Sequence, residues 1–152
     1  MSDYKNSDDK SSGDKSFGET NLQQLLKTMS PVLSQQEYVF VTFANSQHTD
    51  HVRLEPVATV MEKEGLTMVV VKNHADANSL QYTGVFRRIT LEVHSSLEAV
   101  GLTAAFSNKL AQHGISANVI AGFYHDHIFV QREFAENAMS ALGEFSDHSA
   151  QS

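Results

Sequence analysis

Apolar positions along the chain fall into two periods, and the switch between them marks out its elements. Leu22, Leu25, Leu26 and Met29 stand at i, i+3, i+4 and i+7, which predicts a short amphipathic helix over Asn21–Met29 with Thr20 as its cap. Pro31 ends it. From Glu37 the period changes to two: Val39, Val41 and Phe43 alternate with other residues, predicting a strand over Glu37–Phe43. Residues 44–56 lose the pattern and read mostly as loop. Two strands follow, Val57–Met61 and Leu66–Lys72, joined at Glu62–Gly65 by a hairpin with glycine at a left-handed position. A helix around His74–Leu80 then leads to a seam at Gln81–Gly84.

The second half repeats these signals more clearly. Val85–Val93 reads as a strand. Ser95 and Glu98 have the spacing of a capping box, but Gly101 inside the helix would cost about 1 kcal/mol relative to alanine. The regular helix is therefore expected to begin near Val100, above a turn at Ser95–Ala99. Its stripe is Leu102, Ala105, Phe106 and Leu110, and Gly114 supplies the left-handed stop. Ile115, Ala117, Val119 and Ala121 alternate on the next strand, Tyr124–His127 turns the chain, and Ile128–Gln131 returns. A last helix, Arg132–Phe145, is expected to bury Phe134, Ala138, Leu142 and Phe145.

The segments 65–78 and 124–137 echo each other weakly, with Val69–Val71 over Ile128–Val130. In each, a hairpin feeds a strand and then a helix. This divides the chain into a tail (1–18), a first, altered unit (19–84), a second unit (85–145) and a closing tail (146–152). The polar first segment has too little apolar surface to offset its ordering entropy, so it is expected to be disordered. The second unit lacks a final strand. Its open edge calls for a strand such as Glu37–Phe43 of the first unit, or one from a second chain.

Composition narrows the function. Of 152 residues 41% are hydrophobic, none is cysteine, and the formal charge is −7. Thiolate metal sites and a cysteine nucleophile are excluded. Without a basic patch, nucleic-acid binding is not expected. No run approaches the roughly 20 apolar residues of a membrane span, and no secretory leader is read at the start. The expectation is a soluble cytoplasmic protein.

The strand–helix–strand–strand–helix order, with GLTAAFSNKLAQHGISANVIAG at its centre, resembles the ACT domain. Gly101, the small-residue helix face and the run from Leu110 into the Ile-led strand carry the likeness. SSLEAVGLTAA and YHDHIFV bring the chain nearer to a bacterial family of tandem ACT-like proteins, related to the ACT repeats of aspartokinases and of cytosolic arginine sensors. The resemblance implies an α+β, ferredoxin-like fold: two ACT-like units, an antiparallel sheet and helices on one face. It also implies a non-enzymatic regulatory role in sensing an amino acid or related small molecule. In the family, the ligand commonly lies between two units, held by the turn into the first helix. Carried over, that points to Val100, Gly101, Leu102 and Thr103, with Asn118, Val119 and Ile120 opposite. Close packing of the halves, a homodimer and output through a separate protein partner are expected with it. The usual Asp-Arg-Pro-Gly turn is absent; Ser95-Ser96-Leu97-Glu98 stands near its place. In the first unit no helix directly follows the Glu37–Phe43 strand, and the leading helix is expected to fill that space.

Each candidate has a plainer reading. Gly101 either lets a ligand approach a helix N-terminus or allows close helix packing. His94, beside the turn, either contacts ligand or hydrogen-bonds the loop. His48, Asp50 and His51, and His125, Asp126 and His127, suit a first-row metal by chemistry. Neither cluster, however, has a third partner in sequence, and both fall in predicted loops, where solvated side chains are the plainer account, so no metal site and no cofactor are expected. Ser95 and Ser96 near His94 lack a nucleophile elbow and an orienting acid, and no catalytic residue is assigned. The alternative to a sensor is a structural or protein-interaction module with a vestigial ligand site.

Overall fold

The computed structural model describes residues 14–93 and 100–147. Among them α1 (Asp14–Thr28) precedes β1 (Ser30–Phe43), a 3₁₀ helix (His48–Leu54), β2 (Ala58–Met61), β3 (Leu66–Val71) and α2 (Lys72–Ala77). The second half contributes β4 (Phe86–Glu92), α3 (Leu102–Gln112), β5 (Asn118–Ala121), β6 (Asp126–Gln131), a 3₁₀ turn (Arg132–Phe134) and α4 (Ala135–Asp147). The strands form one antiparallel sheet in the order β2-β3-β1-β4-β6-β5. Each half repeats the same order outward from the β1–β4 pair. The fold is α+β and ferredoxin-like in both halves, with the helices on one face.

β1 holds the halves together. Its first part, Ser30–Leu33, pairs with β4, and its last part, Tyr38–Phe43, pairs with β3. The register shifts between Leu33 and Glu37, and Arg87 fixes that irregularity by donating from Nε to the Ser34 carbonyl at 3.0 Å. The strand that completes the second unit is therefore chiefly Ser30–Leu33, upstream of the expected Glu37–Phe43. Pro31 is tolerated there because this part of β1 has a strand on one side only, the edge position to which proline is confined in sheets. α1 stops at Thr28, just before Ser30, which Pro31 biases to the extended conformation. Upstream, α1 starts at Asp14, before the expected Asn21 and inside the segment expected to be a tail.

The apolar stripes build two cores on the helix side. Leu26 of α1 and Met29 just after it join Ile89, Leu91, Phe106, Leu110, Ile128 and Leu142. The leading helix thus covers the second unit, not the first, contrary to expectation. In the first unit Leu54, fully buried on the 3₁₀ helix, packs with Val39, Val41, Leu66, Met68 and Val70. The opposite face carries Tyr38, Val69 and Phe129, flanked by Phe40, Phe86 and Ile120. Val69 and Phe129 are equivalent in this arrangement, as are Met68 and Ile128. The letter-by-letter echo set Val69 over Ile128, one residue out of register, and a one-residue slip exchanges the faces. Phe134 is 39% exposed, where burial was expected. It lies in the 3₁₀ turn, and Ala135 takes the buried position at the start of α4.

Candidate ligand site

The second unit's turn into α3 is built around Gly101. Its φ is +92°, a left-handed conformation that side chains resist, and it occupies the N-cap position with no side-chain cap. The Gly101 carbonyl accepts the first helical bond, from Ala105 N–H at 2.9 Å. The N–H groups of the first turn lie ahead of that bond and have no intrahelical acceptor. Val100 is 91% exposed, Thr103 is exposed and Leu102 is buried. The turn therefore presents backbone donors and one hydroxyl, anchored by Leu102 in the core. A helix N-terminus of this kind favours a carboxylate.

The other candidates divide between the sheet's faces. Val119 packs against the core that contains Leu102. Ile120 packs on the opposite face with the aromatic cluster. Asn118 alternates with Val119, and its amide donates to the Phe129 carbonyl at 3.1 Å. Within one chain, β5 thus brings Val119 to the α3 side, while Asn118 and Ile120 face away. His94 and the Ser95–Glu98 pair lie outside the described residues.

One neighbour was not legible in the sequence. A Cβ placed on Gly101 would stand 3.1 Å from Cδ2 of Leu22 on α1. Helix α1 closes one side of the turn, so Gly101 serves close packing as well as backbone conformation.

The histidines do not converge. His48 Nδ1 lies 3.3 Å from Thr59 Oγ1, and His51 stacks on Phe43 with ring centroids 3.6 Å apart. His127 sits on β6, not in the expected turn, with Nδ1 3.0 Å from Thr90 Oγ1. Among the described residues no three His, Asp or Glu side chains are grouped to hold a metal ion. Burial lowers the His127 pKa from its ordinary 6.5, helped by nearby Arg88 and His125 and opposed by Asp126. A base with a depressed folded pKa binds fewer protons folded than unfolded, so its contribution to stability is lost as pH falls below 6.5 towards the folded value. His127→Asn is expected to make the decline of stability below pH 6.5 shallower in urea titrations; an unchanged slope would refute this.

Two ACT-domain models match the chain, one over residues 17–87 and the other over residues 86–144. The chain belongs to the ACT-domain family, with two such domains in tandem. ACT domains are regulatory, non-catalytic modules that generally bind small molecules. Among solved structures, a Vibrio cholerae protein of unknown function, described as a possible transport protein, is 55% identical. The match covers 86% of this chain and 99% of that one, with a TM-score of 0.79. The ligand-free regulatory subunit of aspartate kinase from Thermus thermophilus is 10% identical, covering 78% of this chain and 97% of that one at TM-score 0.58. A protein from Agrobacterium tumefaciens is 13% identical, covering 78% and 89% at TM-score 0.58. The last two likenesses establish the fold alone. No curated protein matches the chain, and among the described residues no helix is long and apolar enough to cross a membrane.

Proposed function

We propose that the chain is a non-enzymatic, cytoplasmic regulatory module that binds an amino acid or similar small molecule at the Val100–Thr103 turn. The observation that carries this reading is Gly101 at φ +92°, opening an uncapped helix N-terminus in the second ACT domain. The ligand's carboxylate meets the first-turn N–H groups, and Thr103 supplies a hydroxyl. In a homodimer, a second copy brings Asn118 and Ile120, which face away from the turn within one chain, towards its partner's ligand. Binding transmits a signal only through different affinities for two arrangements, and a separate protein partner receives it. Leu22 against Gly101 favours the second reading, a protein-interaction module whose ligand turn α1 has closed.

Gly101→Val cannot separate the two readings, because a side chain there is strained at positive φ and presses on Leu22. Thr103→Glu can. Thr103 is exposed, and a glutamate in the first turn suits the helix dipole, leaving stability unchanged or raised by up to about 1 kcal/mol. It repels a carboxylate ligand. An amino acid at about 100 times its Kd adds roughly 2.7 kcal/mol, which raises Tm by on the order of 5–10 °C. The sensor reading predicts such a rise for one or a few related amino acids, abolished by Thr103→Glu. A flat panel, or a rise that survives the substitution, would contradict it.

A further inference from the structure

The two halves differ in one strand, and the difference leaves a cleft. In the second unit, Ser30–Leu33 covers β4. In the first unit no strand among the described residues covers the equivalent edge: β4 reaches β1 only as far as Tyr38, and Val39–Phe43 pair with β3 alone. Residues 80–83 pass this edge without closing it. Among the described residues, none of the backbone hydrogen bonds outside the strands and helices involves Val39–Phe43. Between them lies a cleft of about 620 Å³, within the size range of small-ligand sites. Its apolar wall includes Phe40, Leu80 and Tyr82, and hydroxyls come from Thr42, Thr67 and Thr83.

Among the described residues of the lining, Asp76 is the single carboxylate, and its counter-charge, Lys72, stands outside the lining. Lys72 donates to Asp76 Oδ2 at 2.7 Å and the Tyr82 hydroxyl to Oδ1 at 2.6 Å. These bonds, that from Lys72 first, hold the Asp76 carboxyl below its usual pKa. A carboxylate offers about four acceptor positions, so two donors leave room for a third.

We infer that this cleft is a second ligand site, distinct from the α3 turn, that takes the amino-terminal residues of a short peptide. The peptide lies along the outer edge of β1 as an added strand, its amide groups pairing with the unpaired backbone of Val39–Phe43. Its terminal ammonium bonds Asp76, and an apolar side chain rests on Phe40 and Leu80. The cleft offers the α-carboxylate of a free amino acid no cation of its own, because Lys72 is already paired with Asp76. A peptide puts a neutral amide in that place.

The test is an amide chemical-shift titration of the full chain with L-leucyl-L-leucinamide, its N-acetylated form and free leucine. The expected result is saturable shifts at Phe40–Thr42 and Thr83 with the free-amine peptide. Acetylation is expected to weaken binding at least ten-fold, and free leucine to leave these amides unmoved. Asp76→Asn is expected to lower the affinity of the free-amine peptide to that of the acetylated one; the acetylated probe makes the same comparison without altering the protein. Equal binding of the two peptides, no shift at millimolar peptide, or shifts confined to Val100–Thr103 would overturn the inference. Leucine shifting the α3 turn alone would support the proposed sensor site and leave the cleft to be judged by the peptides.

Discussion

Tyr38→Ala is expected to remove about 3–5 kcal/mol of stability, the range for truncating a buried aromatic side chain. Tyr38 is 1% exposed and stands where three strands meet, opposite Val71 of β3 and Phe86 of β4. Its ring meets Phe129 edge-on at 5.5 Å, and the Arg88 guanidinium lies 5.1 Å above it. Its hydroxyl lies 3.4 Å from both Ser34 Oγ and Gln36 Oε1. Removing the ring therefore opens a cavity shared by both ACT domains and leaves Arg88 without its aromatic surface. Denaturant unfolding should show one transition, moved as a whole, because β1 belongs to both halves. Two transitions, with only one displaced, would contradict the shared strand. Tyr38→Phe, which loses only the hydroxyl contacts, should cost about 1 kcal/mol.

Phe106→Ala should cost a similar 3–5 kcal/mol for a different reason. Phe106 is fully buried on α3 and lies in the core formed by α1, α3, α4 and the second half of the sheet. The hole it leaves is bounded by several elements, which limits how far they can relax to fill it. Phe123 is the internal control. It is 75% exposed in the β5–β6 hairpin, and its replacement by alanine should change stability by no more than about 0.5 kcal/mol. A loss at Phe106 below about 1 kcal/mol would mean that α3 does not pack on the sheet as described.

These two residues also show what the sequence could and could not reveal. Phe106 belongs to a stripe with regular helical spacing, and such stripes located α3, α4 and the second half of α1. Tyr38 was placed in a strand, but its junction role was hidden. Ser34, Gln35 and Gln36 interrupt the alternation of β1, and only pairing with β4 and the Arg87 bond to Ser34 carry the strand back to Ser30. The 3₁₀ helix at His48–Leu54 was missed because its anchor is a single buried leucine in a polar stretch. At the candidate site, a glycine in an otherwise regular helix signalled the special backbone of Gly101. Nothing local signalled that Leu22, about eighty residues earlier, would lie against it. The cleft beside Asp76 had no motif at all, since it arises from a strand that the first unit lacks.

The proposed sensor role stands or falls with ligand binding at the α3 turn. The direct measurement is an amide chemical-shift titration of the full chain with each of the common amino acids. The account predicts that one or a few related ones shift the amides of Gly101, Leu102 and Thr103 saturably, and that Thr103→Glu removes the effect. If none of them moves these amides while the protein is folded, the turn is not a sensor site and the interaction-module reading replaces it.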